Sequence, residues 1–302
     1  MFSPVSPSLV RRRTLTAGAI ALIVVAVLAG CSPAGSSGTD GSSGDGSTSE
    51  QATTVTALSV ATGSLSGGTT VTLTGTGLDT VTGVNFGGTA APSVTVASPT
   101  ELTVVTPAAV NFVAGPAEVT LQVADSAEPV ASGSTFGYES LTPLDAQMAY
   151  VLTHWQERNV AEYGSLTDND CVNFASQSLI ARGWTQNAEW SHSINADGTH
   201  KYSSPWISST AMMKYFAAHP ELATALTDQQ RDQVVVGDIA QFDWDNSGDR
   251  DHTGIVTRIE GEGADRVIYF AGHSLDSDYR SVDVAITTDH PGATAYYWHL
   301  NA

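Results

Sequence analysis

The sequence predicts two folded modules in series, an all-β sandwich followed by an α+β domain, behind a leader and a tether. Three observations carry this reading. Across residues 55–138, short alternating runs such as "TTVTLTGTGL" and "AEVTLQVADS" recur with Gly and Pro between them, the texture of a small sandwich. From Pro143 onward helical periods take over, and a β-rich stretch follows from Gly237. All the basic residues beyond the first 30 positions lie from Arg158 onward, an asymmetry expected of two different modules.

The chain opens with "VRRRTLTAGAIALIVVAVLAGC" after nine residues. Arg11, Arg12 and Arg13 precede an apolar run from Ala17 to Ala29, the charged and apolar regions of a secretory signal. That run is too short for a membrane span of about 20 residues. It ends in "LAGC", Leu28 to Cys31, which resembles a bacterial lipobox. The resemblance implies that residues 1–30 are removed, that Cys31 is lipidated, and that the protein is anchored on the extracytoplasmic side of the membrane. With the three arginines gone, nine of the 12 basic residues remain against 31 acids, a formal charge of −22. Such a balance offers no phosphate-binding footprint and disfavours nucleic acid as a partner. Residues 31–54 are rich in Ser, Gly and Thr without apolar period, a flexible tether spanning roughly 25–30 Å.

The sandwich region carries "GGTTVTLTGTGL" at Gly67, "VNFGGTAAPSVTVASPTELTVVTPA" at Val84 and a closing "STFGY" at Ser134. These residues resemble the IPT/TIG family of immunoglobulin-like domains over nearly all of residues 55–138. The resemblance implies a spacer or binding module, and the absence of a catalytic cluster in this segment favours the spacer.

The second module, residues 142–302, starts with Thr142 as a helix cap, Pro143 at the first helical position and Asp145 in the first turn. Leu144, Met148, Leu152 and Trp155 recur at helical spacing and predict one buried face. A Trp-rich, mostly polar stretch follows at 184–206, then a helix over 209–219. Because all the chemistry lies here, this module is expected to fold alone.

Within it stands "NDCVNFASQ". Asp170 or Asn169 caps a helix predicted over 171–182, with Gly183 as its stop. Cys171 then occupies the first turn, where unpaired N–H groups and the helix dipole favour a thiolate. An ionised Asp170 works against that, so a neutral-pH thiolate needs an imidazolium partner. Once Cys31 is lipidated, Cys171 has no disulfide partner and is either inert or reactive.

Three strands are predicted over 237–244, 252–260 and 265–274. With a four-residue turn at 261–264, Glu260 pairs with Asp265 and His252 falls opposite His273, the two Cβ atoms about 5 Å apart. A turn of odd length breaks that register.

Together "NDCVNFASQ" and "GDIAQFDWDNSGDRDHTGIVT" resemble an amidase domain family related to NlpC-type cysteine hydrolases, over most of residues 143–302. The resemblance implies an α+β papain-like domain, with Cys171 as nucleophile, His252 as general base and a polar residue on the next strand as orienter. His273 fits that last place, with Asp276 the alternative. Tyr163, Asn173 and Gln177 are candidates for lining the cleft, although the last two serve the helix equally well. Asp251 is a poor orienter, since neighbouring strand residues point to opposite faces.

"DWDNSGD", Asp243 to Asp249, has the alternating acids of a calcium loop but Gly254 where the twelfth-position glutamate belongs, so a solvated turn is the reading taken. No H-E-x-x-H occurs, which excludes the commonest zinc hydrolase pattern, and no cofactor is called for. The expected function is cleavage of an amide bond in peptidoglycan peptides or another peptide substrate. The alternative is a surface binding protein acting through the sandwich, its hydrolase domain degenerate.

Overall fold

The computed structural model describes residues 52–301. The expectations for the leader, Cys31 and most of the tether lie outside them. Among the described residues no helix is long and apolar enough to cross a membrane.

The first module comprises β1 (Thr54–Leu58), β2 (Thr62–Ser64), β3 (Thr70–Thr76), β4 (Val81–Phe86), β5 (Thr89–Ala90), β6 (Ser93–Ser98), β7 (Glu101–Val105), β8 (Gly115–Val123) and β9 (Val130–Glu139). They form two sheets, ordered β1-β3-β7-β6 and β2-β9-β8-β4-β5. Alternation builds the core: Val71 and Leu73 from β3 and Leu102 and Val104 from β7 face Phe86, Leu121 and Phe136 of the other sheet. Phe136 meets Phe86 and Tyr138 edge-on at 5.4 and 5.2 Å. Gly75 is obligatory, because a Cβ there would lie 1.9 Å from the Thr54 carbonyl oxygen, beside the bulge in β1.

Helix α1 (Pro143–His154) opens with the reciprocal cap its sequence advertises: the Thr142 hydroxyl accepts from Asp145 N–H, and the Asp145 carboxylate accepts from Thr142 N–H. The same carboxylate reaches back into the sandwich. It accepts from the Ser64 hydroxyl at 2.8 and 2.9 Å, from Ser66 N–H at 2.7 Å and from Leu141 N–H at 2.9 Å. The apolar face of α1 follows: Met148 is part of the sandwich core, with Leu144 and Leu152 packed against it. That predicted face serves both modules, since its fourth member, Trp155, packs against the core of the second. A fragment beginning at Pro143 would expose these side chains and lose the Ser64 and Ser66 partners of Asp145, which weighs against the expectation that the second module folds alone.

The second module continues with α2 (Val160–Tyr163), α3 (Cys171–Ala181), β10 (His192–Ile194), β11 (His200–Tyr202), α4 (Ser204–Ile207), α5 (Ser209–Ala218), β12 (Ala223–Thr227), β13 (Ile239–Asp243), β14 (His252–Glu260), β15 (Val267–Gly272), β16 (Ser277–Ser281) and β17 (Thr294–Leu300). The last six make an antiparallel sheet ordered β12-β17-β13-β14-β15-β16. Ile239, Ile255, Ala271 and Trp298 face α3 and α5. Ala240, Phe242, Val256, Phe270 and Tyr297 form a second core on the opposite face. Every residue of α3 from Cys171 to Leu179 is buried. Part of its cover is the Trp-rich stretch, whose Trp190 and Trp206 stack at 4.7 Å.

The β14–β15 hairpin departs from the expected register. Glu260 pairs with Val267, not Asp265, and the ladder slips by one residue between Val256 and Arg258. A six-residue connection alone would have kept His252 and His273 on one face, because an even change preserves the alternation. The bulge at Thr257 reverses it. Below the bulge Ile255 pairs with Ala271, and continuing that register puts Thr253, not His252, across from His273.

Backbone and hydroxyl donors hold the Asp145 carboxyl below its usual range even though burial, the largest single effect, opposes this. The lowered value means that ionised Asp145 stabilises the fold above the unfolded-state value near 4 and that this is lost as pH falls through the folded value. Asp145→Asn is expected to cost about 2 kcal/mol at pH 7, with the gap between variant and wild type closing below about pH 4. Urea unfolding of the full chain at pH 7 and pH 3.5 measures both, and equal stabilities at pH 7 would refute the role.

Candidate active site

Cys171 begins α3, directly after Asp170. Asp170 occupies the cap position without capping the helix through its side chain. One carboxylate oxygen accepts from Leu166 N–H and from the Asn173 amide, each at 2.9 Å. The other accepts from His273 Nδ1 at 2.6 Å and lies 3.5 Å from Arg158 Nε. Burial works to raise its pKa, but the His273, Asn173 and Leu166 hydrogen bonds together leave it below the ordinary range. The other His273 nitrogen donates to the His154 carbonyl at 2.9 Å, and the ring stacks on Phe174 at 3.9 Å. A carbonyl only accepts, and so does an ionised carboxylate, so both ring nitrogens act as donors. Expected as the orienter of His252, His273 instead ties Asp170 to the last residue of α1.

The Cys171 side chain is 7% exposed and opens into a cavity of about 530 Å³. Asn169, Ser208, Ser209, Arg250 and Asp251 share its lining. The Ser209 hydroxyl stands 3.9 Å from the sulfur, and the backbone N–H groups of Thr253 and Val172 favour the thiolate. Burial outweighs these donors and pushes the thiol pKa above its ordinary value. Arg250 is fixed over the Tyr296 ring at 3.5 Å, and its N–H donates to Thr210 Oγ1 at 2.9 Å, which ties this wall of the cleft to α5.

His252 lies elsewhere. Its ring packs among Phe242, Trp244 and Phe270 on the sheet face opposite α3, and Trp244 in turn stacks on His290 at 4.1 Å. Gly272 leaves room for it, since a Cβ there would sit 3.2 Å from His252 Nε2. That nitrogen is buried without a partner. Burial, with smaller contributions from Arg280 and His290, pushes the pKa down to about 4, so the ring is neutral at pH 7. The structure therefore does not bring His252 to Cys171, because Thr253 takes the position facing α3.

The other expected site residues are engaged elsewhere. Asp276 makes a two-pronged pair with Arg158 at 2.7 and 2.8 Å and is not the orienter. Asn173 accepts from Trp206 Nε1, Gln177 accepts from the Tyr150 hydroxyl at 2.7 Å, and the Tyr163 carbonyl accepts from the Tyr202 hydroxyl at 2.7 Å. None of the three lines the cavity at Cys171. Sequence reasoning missed Ser209 and Arg250. It set Asp251 aside on strand alternation, the same alternation that turns Asp251 and Thr253 toward the cleft and His252 away from it.

One cluster fits a cation in donor type. Carboxylate oxygens of Asp243, Asp245, Asp249 and Asp251 lie within 4.8 Å of one another. Four acidic oxygens suit a hard divalent ion. The loop is also held from within, since Asp243 accepts from Ser247 and Gly248 N–H and Ser247 donates to Asp249.

Comparison with known proteins places these features. An IPT/TIG domain model matches residues 53–138. The uncharacterized protein YhbB of Bacillus subtilis (strain 168) is 27% identical over 142 residues, covering 43% of this chain and 40% of YhbB. Among solved structures, the plexin A4 extracellular region is 26% identical over 30% of this chain and 7% of its own, with a TM-score of 0.25. The Bacteroides ovatus protein SGBP-B, solved with a mixed-linkage heptasaccharide, is 11% identical over 81% of this chain and 51% of its own, with a TM-score of 0.21. Scores this low bear no weight for the fold. The chain spans well under two thirds of YhbB and of plexin A4. A further model, matching residues 144–298 and so just over half of the 302 residues, supports a hydrolase reading: the chain belongs to the family described as "Putative amidase domain".

Proposed function

We propose that this protein is an exported, lipid-anchored hydrolase that cleaves an amide bond in cell-wall peptides, with a papain-like catalytic half and Cys171 as its nucleophile. The observation that carries the proposal is the position of Cys171: a thiol in the first turn of a buried helix, opening on a cavity of about 530 Å³, with N–H and O–H donors directed at its sulfur. The sulfur attacks the amide carbonyl, and the N–H groups at the start of α3 hold the oxyanion. The amine leaves with a proton, and water releases the acyl group from the sulfur.

In the ligand-free form the thiol is neutral and, among the described residues, has no imidazole as a hydrogen-bond partner. His252 is the residue to supply one. It follows Asp251 in the cleft wall and precedes Thr253, whose N–H favours the thiolate. On this reading substrate binding turns residues 251–252 and brings the imidazole into the cleft, which also relieves its unpaired Nε2. The peptidoglycan assignment is part of this proposal; the resemblance to NlpC-type hydrolases and the lipobox-like "LAGC" support it.

A second reading is favoured by the back-facing His252 itself: a surface binding protein in which the hydrolase domain is idle. The sandwich then carries the function, with Val110 and Val113 exposed on one of its loops.

Three measurements test these readings. Cys171→Ala is expected to abolish fragment release from purified wall peptides, read by mass spectrometry, and His252→Ala to lower kcat/KM at least about 100-fold. Full activity in His252→Ala removes the imidazole from the mechanism, and no release by the wild type favours the binding reading. Because the free thiol's pKa is raised, kcat/KM is expected still to climb at about pH 8.5 as the sulfur deprotonates. A plateau from about pH 6.5 would instead mark a resting thiolate–imidazolium pair. Cys31→Ser is expected to release the protein from the membrane fraction, since two acyl chains suffice for stable anchoring. Unlipidated, soluble wild type contradicts the anchor.

A further inference from the structure

Ser209 opens α5 and stands across the cleft from Cys171, its Oγ 3.9 Å from the sulfur. Which of the two donates is decided further back, along a line of buried groups. The Trp298 indole N–H donates to Gln241 Oε1 at 2.9 Å. An indole nitrogen cannot accept, so this contact fixes the orientation of the Gln241 amide. The Gln241 Nε2 group then donates both its hydrogens, to the Ser209 carbonyl at 2.9 Å and to Thr253 Oγ1 at 3.1 Å. The carbonyl, which only accepts, requires the same orientation independently. Having accepted from Gln241, Thr253 donates its own hydrogen to Ser209 Oγ at 2.9 Å. The Ser209 hydrogen is what remains, and the Cys171 sulfur is the acceptor in front of it. Trp298, Gln241, Thr253 and Ser209 are all buried, so water does not compete along the line.

We propose that Ser209 is a catalytic residue whose hydroxyl stabilises the Cys171 thiolate as it forms, and that Thr253, Gln241 and Trp298 are positioning residues that keep its hydrogen on the sulfur. This rests on the reading of Cys171 as the nucleophile. It answers a need of the resting site, where the His252 imidazole lies on the other face of the sheet and the Ser209 hydroxyl is the side-chain partner of the sulfur. Ser209 is suited to that place, because it lies in the first turn of α5, whose positive end reinforces that of α3 at the same cleft.

The test is the pH dependence of iodoacetamide alkylation of the full-length protein, read as the mass of the Cys171 peptide. Ser209→Ala is expected to move the midpoint up by about one pH unit, a roughly tenfold loss of thiolate near neutrality. Thr253→Val leaves the Ser209 hydroxyl in place but frees its hydrogen to turn away, and moves the midpoint the same way by less. Ser209→Thr restores it. Loss of packing alone would lower the melting temperature without moving the midpoint. An unmoved or lowered midpoint in Ser209→Ala overturns the proposal, and if that variant does not fold, Thr253→Val decides by the same criterion. The readout needs no turnover. A raised midpoint in a protein that hydrolyses nothing leaves the relay standing and defeats the hydrolase reading, whereas an unmoved midpoint in an active enzyme does the reverse.

Discussion

A helix buried from Cys171 to Leu179 has no water for its polar side chains, and the second module is arranged around that constraint. Buried polar groups cost about 1–3 kcal/mol each when unpaired, so Asn173, Ser176 and Gln177 must find partners within the protein. They find Trp206, Trp190 and Tyr150, which thereby come to surround the helix. Asp170 faces the same demand as an ionised group and draws in His273, Asn173 and the Leu166 N–H, with Arg158 close by. The site is thus held from segments up to 103 residues away in sequence, and the cleft is what remains open at the helix start once these contacts are made.

Much of this was legible in the sequence where the signal is local. The start of α3 at Cys171, its stop before Gly183, the extent of β14 from His252 to Glu260, and the Thr142–Pro143–Asp145 cap all follow from nearby residues. The misreadings are non-local. Thr257 is a β-branched residue with high strand preference, and no glycine marks it as a bulge, yet it reverses the alternation that decides which histidine faces Cys171. The period of α1 gave a correct apolar face but carried no information on which core would receive it. The 184–206 stretch reads as polar loop by composition, because its two buried tryptophans are separated by residues that serve turns and caps.

The same alternation explains the unusual electrostatics of the cleft. In β14 the front positions went to Thr253 and Ile255 and the back positions to His252, Gly254 and Val256, which continue the aromatic core of Phe242 and Phe270. Gly254 belongs to that choice: a Cβ there would meet Phe270 at 2.4 Å, so the strand cannot present its other face without displacing the core. Sheet packing fixes the interior of β14 firmly. Its first residue, at the edge of the ladder, is bound less tightly, since His252 has ring contacts but no hydrogen bond at Nε2.

Cys171 and His252 are therefore perturbed in opposite directions by one cause. Burial disfavours whichever form is charged, raising the thiol and lowering the imidazole, so both groups are neutral near pH 7. A pair brought together from that state would transfer a proton during attack instead of resting as an ion pair. Charge would then develop at the sulfur only when the carbonyl is present to receive it. Fixed donors such as the N–H groups at the start of α3 are most valuable in that situation, because they need not reorganise as the charge appears. A neutral, nearly buried thiol is also a poor target for oxidation.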